Sequence, residues 1–330
     1  MDINPIEVSV VCLAYNQEST IERMINSILN QETTFAYEIL IHDDFSTDQT
    51  RTIIERYARL YPEKIVPIYQ TENQFSKGKK ISVDFVYPLV KGKYVAFCEG
   101  DDFWICSTKL QQQYEALETH GDCSLCVHDV ICVNSESKII NKKFPRINII
   151  NDYIKSDDYF KYELVDCPWL FQTTSYFVRS SIIRRICNER PKFFFDYPVG
   201  DLPLVLLCLE VGDCIYIKQQ MSAYRSLAGG VLTQNKKNLD QEIKYYERMI
   251  IGHKEYKKYT AKCNPVYIDY AIASIEVTLY KLKGDYRGID LEKYSNQIRS
   301  QNVKNKAVIA IGRLIPNVTY SLYKKMRKCL

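Results

Sequence analysis

Two pairs of aspartates stand where apolar, β-branched runs stop. Asp43-Asp44 follows Glu38-Ile39-Leu40-Ile41, and Asp101-Asp102 follows the run from Tyr94 to Cys98. A further acidic position, Asp201, opens the stretch Leu202-Pro203-Leu204. Carboxylates gathered on one sheet edge repel one another unless a cation or hydrogen-bond donors fill the space between them. A divalent metal together with phosphates meets that need. Hard cations such as Mg2+ or Mn2+ take carboxylate oxygens and substrate phosphates in preference to closed protein cages. A carboxylate within reach of a hydroxyl can also act as a general base.

Other chemistries lack their residues. No Gly-x-x-x-x-Gly-Lys-Ser/Thr loop is present to cradle phosphates. Ala14-Tyr15-Asn16-Gln17 follows the first strand where a dinucleotide fold would carry Gly-x-Gly-x-x-Gly. Cys123 and Cys126 have the spacing of half a zinc site, but in a strand residues three apart face opposite ways and no second pair exists. Asn317-Val318-Thr319 matches a glycosylation acceptor, which a cytosolic chain would not use.

The elements that must position the carboxylates read as an alternating series. Val8 to Val11 is a strand. Ser19 and Glu22 have capping-box spacing for a helix with Ile21, Met24, Ile25, Ile28 and Leu29 on one face. Glu38 to Ile41 is the second strand. Ser46 and Gln49 offer another capping box, before a helix facing inward with Ile53, Ile54, Tyr57 and Leu60 and stopping before Pro62. Ile65 to Tyr69 and Tyr94 to Cys98 are the third and fourth strands. Strand, helix, strand, helix, strand predicts a parallel α/β sheet, with ligands beyond the carboxyl ends of the strands. Ala14-Tyr15-Asn16, Asp43-Asp44 and Glu99-Gly100-Asp101-Asp102 all fall there. From about Asp122 to Tyr224 short strands and loops are expected, and from about Asp240 onward helices.

The bulk numbers set the frame. The 330 residues carry 44 basic and 40 acidic side chains, a net charge of +4, too balanced for nucleic-acid binding. The 12 cysteines are scattered among apolar neighbours. With no basic, apolar leader and no run long enough to span a bilayer, the expectation is a reduced, cytoplasmic protein.

Val8-Ser-Val-Val-Cys-Leu-Ala-Tyr-Asn16, Glu38-Ile-Leu-Ile-His-Asp-Asp-Phe-Ser-Thr-Asp48 and Phe97-Cys-Glu-Gly-Asp-Asp-Phe-Trp104 together resemble glycosyltransferase family 2 in order and spacing. Gly200-Asp201-Leu202-Pro203-Leu204, Met221-Ser-Ala-Tyr-Arg225 and Gly229-Gly230 extend the resemblance to about two-thirds of the chain. It implies an α/β GT-A type nucleotide-diphospho-sugar transferase fold, a Rossmann-like mixed sheet flanked by helices, with a C-terminal helical extension. The catalytic domain would take residues 1–235, with a nucleotide-sugar-binding half (1–130) and an acceptor-binding half (131–235). Residues 236–330 would form the extension.

The resemblance also implies roles. Ala14, Tyr15 and Asn16 would lie against base and ribose, and Asp43 or Asp44 would hydrogen-bond the base. Glu99, Gly100 and Asp102 would line the donor, and Asp101 would bind Mn2+ or Mg2+. Asp201 would be the catalytic base of an inverting transfer from a nucleoside diphosphate sugar, a UDP-sugar first among them. Arg225 would be a donor clamp, with a structural ion pair as its rival reading. Trp104, Trp169 and Thr173 would line the acceptor site, core packing being the rival for Trp104. Two departures stand out: Glu99 replaces the first Asp of the family's triplet, and Ile105-Cys106-Ser107 replaces its polar-Asp-Pro run.

Ala307, Val308, Ile311, Leu314 and Ile315 have helical spacing, followed by Lys324, Lys325, Arg327 and Lys328. This tail would either pack on the catalytic domain or give a peripheral contact with an anionic membrane, suiting a lipid-linked acceptor. The acceptor would be a glycan or lipid-linked sugar in cell-surface polysaccharide synthesis, as in capsule or lipopolysaccharide. Two alternatives stand beside this reading: a nucleotidyltransferase, whose basic Gly-rich loop is missing, and a catalytically silent sugar- or nucleotide-binding module.

Overall fold

Nearly every residue of β1 (Ile6–Ala14) is apolar, as a strand flanked on both sides and covered on both faces requires. It pairs in parallel with β2 (Ala36–Asp43), reached through α1 (Ile21–Leu29), and β2 pairs in parallel with β3 (Ile65–Tyr69), reached through α2 (Thr50–Leu60). On its other side β1 pairs in parallel with β4 (Tyr94–Phe97). The computed structural model describes residues 5–226, 238–301, 303–317 and 319–321. Gly229, Gly230, Val318 and the basic residues Lys324, Lys325, Arg327 and Lys328 lie outside the described residues.

Beyond β4 the sheet turns mixed. The remaining strands are β5 (Phe103–Trp104), β6 (Cys123–Val133), β7 (Ile139–Phe144), β8 (Tyr153–Ile154), β9 (Phe177–Arg179) and β10 (Asp213–Arg225). The order is β3-β2-β1-β4-β9-β6-β10-β5, with β7 on β6 and β8 on β10. Antiparallel β9 lies between β4 and β6, while β6 and β10 run parallel. The region expected to hold only short strands thus contains two long ones, β6 and β10. Their Cys, Val and Ile content suits burial, and their length was masked by interleaved polar residues such as His128, Asp129, Lys218 and Gln219.

Both predicted capping boxes fail. Thr20 takes the N-cap of α1 and sends its hydroxyl to the carbonyls of Gln17 and Gly100, at 3.3 and 3.0 Å. Glu22 is drawn away to the phenol of Tyr57 at 2.9 Å and to Arg56 at 2.7 Å. At α2 the amide of Thr50 donates to Asp48 Oδ1 at 2.9 Å, while the Ser46 hydroxyl accepts from the amide of Asn16 at 2.9 Å. Glu22 was claimed by α2 and Ser46 by the loop after β1. Leu60, expected inward, is the last residue of α2 and is 64% exposed.

One glycine governs how β4 is laid beside β1. The amide of Gly92 donates to Ser9 Oγ at 2.9 Å, and that hydroxyl donates to the buried Glu38 Oε1 at 2.7 Å. A Cβ on Gly92 would lie 2.5 Å from Ser9 N, 2.7 Å from Val8 C and 2.8 Å from Tyr94 O. These are backbone atoms that cannot swing away. Gly92→Ala is therefore expected to destabilise the sheet by about 2–3 kcal/mol, read as a lowered midpoint in urea.

The chain divides into two compact units. One takes residues up to Pro191 with Gly200–Ser226, and the other takes Lys192–Val199 with the chain from Leu227 onward. The first holds the sheet, α3 (Lys109–Thr119), α4 (Ser156–Lys161), α5 (Ser180–Glu189) and α7 (Asp201–Val211). The second holds α6 (Lys192–Asp196), α8 (Leu239–Tyr259), α9 (Pro265–Lys283), α10 (Ser295–Ser300) and α11 (Val303–Leu314). Asn238 and Asn264 cap α8 and α9 by accepting from amides two or three residues on.

The face of α11 differs from the expected one. Ile309 is buried with Val277, Tyr286, Ile289 and Tyr294, and Val308 packs against them. Gly312 lets the Tyr286 ring approach so closely that a Cβ would sit 2.4 Å from it. The helix therefore packs on the 308–309–312 side, leaving Ala307, Ile311, Leu314 and Ile315 exposed. A glycine marked the packed face, which a count of apolar residues could not show.

Candidate active site

The parallel register brings the predicted residues to one edge. Ala14 is level with Asp43, Asp43 is level with Tyr69, and Val11 is level with Phe97, two residues before Glu99. Tyr15 projects from this edge, 47% exposed. Asn16 has φ +51, and its Oδ1 accepts from the amide of Thr47 at 2.8 Å, joining the β1 and β2 loops.

The structure separates the first pair of aspartates. Asp44 accepts from the amides of Gln74 and Phe75 at 2.8 and 3.0 Å, so its carboxylate braces the loop after β3. Asp43 accepts only longer bonds from the Ser46 amide, at 3.3 and 3.4 Å among the described hydrogen bonds, with the Ser46 hydroxyl also favouring its charge. Burial outweighs these and pushes its pKa up.

Glu99, Gly100, Asp101 and Asp102 form the turn from β4 into β5. The amide of Gly100 donates to Leu13 O at 3.0 Å, and a Cβ there would meet the Gln17 side chain at 2.0 Å. Glycine thus admits the close approach of Gln17 and α1. Glu99 is pushed up to about 8 by burial, then by Asp101 and Asp201. Asp101 is raised by burial, with Arg225 opposing. Asp102 is raised well above the carboxylate range by burial and then by Asp101, and its Oδ1 accepts from the amide of Arg225 at 2.9 Å.

The guanidinium of Arg225 is committed to protein. Nε donates to Asp101 O at 2.9 Å, one terminal nitrogen donates to Asn134 O and Ser135 O at 3.0 Å each, and the other donates to Ser137 Oγ at 3.0 Å. Arg225, expected as a donor clamp, here ties the turn holding Asp101 to the loop after β6. Neither is it held by an ion pair among the described contacts. Arg23, not anticipated from the sequence, stacks on Phe103 with its guanidinium carbon 3.6 Å from the ring centroid.

Asp201 is the first residue of α7. Its Oδ1 accepts from the amide of Leu202 at 2.8 Å, and its Oδ2 accepts from Trp169 Nε1 at 3.1 Å. Burial raises its pKa, opposed by those two donors and by the charge of Lys80. Trp169 holds φ +68, a costly backbone for a bulky side chain. Trp104 is corrected to the core: it is 4% exposed, inside the main apolar cluster, with Lys109 Nζ 4.1 Å from its ring. Thr173 is half-buried and begins a tight turn whose next residue, Thr174, reaches Cys98. Lys80 and Glu163 carried no sequence signal. The role of each appears only through a group distant in sequence or through backbone amides.

A divalent cation fits this donor set. Glu99 feels both Asp101 and Asp201, a like-charge crowding that a cation relieves. Among the described residues no three His, Cys, Asp or Glu side chains form a cage. Cys123 and Cys126 likewise belong to no metal group among the described residues, and both thiols are buried. No helix among the described residues is long and apolar enough to cross a membrane.

The family model described as glycosyl transferase family 2 matches residues 9–182. The UDP-Glc:alpha-D-GlcNAc-diphosphoundecaprenol beta-1,3-glucosyltransferase WfaP of Escherichia coli is 36% identical over 112 residues, 34% of this chain and 41% of that one. The putative teichuronic acid biosynthesis glycosyltransferase TuaG of Bacillus subtilis is 36% identical over 108 residues, 33% of this chain and 40% of that one. The match thus spans about two-fifths of these curated relatives. Residues 1-349 of S. aureus TarS in complex with UDP-GlcNAc share the fold with a TM-score of 0.59 at 15% identity, over 96% of this chain and 89% of that one. The mannosyltransferase PcManGT of Pyrobaculum calidifontis, in complex with GDP-Man and Mn2+, gives 0.53 at 16% identity, over 99% and 87%. The fold is the GT-A type.

Proposed function

The chain belongs to glycosyltransferase family 2, and from that membership we propose that it moves a hexosyl or N-acetylhexosaminyl group, with inversion, from a UDP-sugar to a glycan or lipid-linked sugar. The product would be a cell-surface polysaccharide, with Mn2+ or Mg2+ as cofactor and the reaction at the cytoplasmic face of the membrane. One observation supports this reading: the charges of Asp101 and Asp201 both act on Glu99, as a site shared by the cation carboxylate and the base would require. The glucosyltransferase relative that acts on a diphosphoundecaprenol-linked sugar supports the lipid-linked acceptor.

Tyr15 offers its exposed ring to the base and Asp43 the carboxylate best placed to accept from it. Asp101 would hold the cation, which neutralises charge on the departing diphosphate. Asp201 takes the proton of the acceptor hydroxyl as that oxygen bonds to the anomeric carbon. The bond from that carbon to the diphosphate breaks on the opposite face, and its electron pair leaves with UDP. Trp169 and Thr173 would border the acceptor, and Ile311, Leu314 and Ile315 would carry any peripheral membrane contact.

Calorimetry with UDP, GDP, dTDP and CMP, each with and without Mn2+, tests the donor site. UDP is expected to bind with Mn2+ and to lose at least about tenfold in affinity in Asp101→Asn. Folded protein that binds none of the four would overturn the proposal and leave a silent module.

A further inference from the structure

Glu163 lies in the turn after α4, buried to 7% exposure, in no charged pair among the described salt bridges. Its two oxygens are used on adjacent backbone amides: Oε1 accepts from Trp169 N at 2.7 Å and Oε2 from Leu170 N at 3.0 Å. Those bonds fix the one peptide segment in which Trp169 adopts its left-handed backbone, φ +68. From that backbone the indole Nε1 reaches Asp201 Oδ2 at 3.1 Å. Arg146 closes the same loop through Pro168 O. A strained, bulky residue at a site persists only where its surroundings over-determine it, and a bidentate carboxylate on two amides is such a device.

We propose that Glu163 is a positioning residue for the reaction: it holds Trp169 in the left-handed conformation that aims the indole N–H at Asp201, and so fixes the plane of the base carboxylate. This rests on Asp201 being the base. With Leu202 N on one oxygen and Trp169 Nε1 on the other, the carboxylate cannot rotate, and its remaining lone pairs point at a fixed place for the acceptor hydroxyl. Glu163 does not touch substrate. Burial pushes it up to about 7, with Asp201 adding to the rise and the two amides and Arg146 opposing it. The groups facing Asp201 are Glu99, Glu163 and Lys80, with the phenols of Tyr176 and Tyr224 in its field.

The chain has two tryptophans, Trp104 and Trp169, so an amide-proton NMR spectrum shows two indole signals, and Trp104→Phe assigns them. In Glu163→Gln one of the two acceptor oxygens becomes an NH2, which faces a backbone N–H and breaks that bond. The Trp169 indole signal is expected to move as it does in Asp201→Ala, while the Trp104 signal, reporting an intact core, stays. Hydrolysis of UDP-glucose supplies the kinetic reading. Glu163→Gln and Trp169→Phe should each lower kcat by about tenfold with the donor KM unchanged. Trp169→Phe should move the acid limb of the profile to higher pH, since a donor favouring the ionised base is lost while the charge of Glu163 stays. The double variant should be no slower than the worse single one.

A Trp169 signal unmoved in Glu163→Gln, or losses that multiply in the double variant, would overturn the proposal. If Glu163→Gln fails to fold, an unchanged kcat in Trp169→Phe does the same. Asp201→Asn, run alongside, separates the two readings. Retained hydrolysis there removes the base itself, whereas loss there without loss in the other two removes only the role of Glu163.

Discussion

Asp201→Asn lowers kcat for sugar transfer by about a thousandfold and leaves Mn2+-dependent UDP binding intact. The size follows from what a positioned general base contributes, roughly 10²- to 10⁴-fold. The selectivity follows from the geometry. Asp201 heads α7, where its carboxylate is held by Leu202 N and Trp169 Nε1, whereas Asp101 belongs to the turn after β4. Asparagine keeps the volume and can still accept from one of the two donors, so the fold is retained. The ionised form is the working one, and burial raises the pKa of Asp201. Wild-type transfer should therefore fall as pH is lowered through that raised value. Stopped assays of UDP release across pH, with calorimetry on the same variant, check both parts. A variant with weakened UDP binding and proportionate loss of kcat/KM would place Asp201 in the donor site instead.

Apart from Asp201, which was singled out by family resemblance and heads α7, the parts of this site singled out in the first half of the sequence share one property: each comes directly after a strand. Period and β-branching located β1 through β4, and a parallel sheet must put the residues just past its strands on one edge. Ala14, Asp43 and Glu99 could be placed without coordinates for that reason. The partners of each carboxylate oxygen were not legible. Asp43 and Asp44 are neighbours in sequence and differ only in what lies across from them. The loop at Gln74 and Phe75 engages Asp44, and no local pattern encodes that distance. Trp104 illustrates the same limit. A tryptophan after an acidic turn suggests a pocket wall, yet β5 pairs with β10 and carries it into the core. Trp169 and Asp201 lie 32 positions apart and meet across a segment in which Trp169 holds a left-handed backbone. The helix caps failed for a related reason: Ser46, Asp48 and Thr20 are short polar side chains beside crowded strand ends, where groups from neighbouring loops compete for them.

Arg225→Lys is expected to weaken UDP binding in Mn2+ by at least about tenfold, despite keeping the positive charge. Arg225 donates in three directions at once, to Asp101 O, to the paired carbonyls of Asn134 and Ser135, and to Ser137 Oγ. The planar fork of guanidinium matches that spread, and a single ammonium cannot. Lysine would lose most of these bonds and would free the turn that presents Asp101. Arg225→Ala should do the same more severely, with a lowered urea midpoint. The metal dependence distinguishes a brace from a clamp. A guanidinium bound directly to diphosphate would matter with or without Mn2+, and lysine would replace it in part. A brace beneath Asp101 acts only through the cation site, so Arg225→Lys should abolish the gain in affinity that Mn2+ confers and leave metal-free binding of UDP where it was. Equal losses with and without Mn2+ would return Arg225 to the donor phosphates.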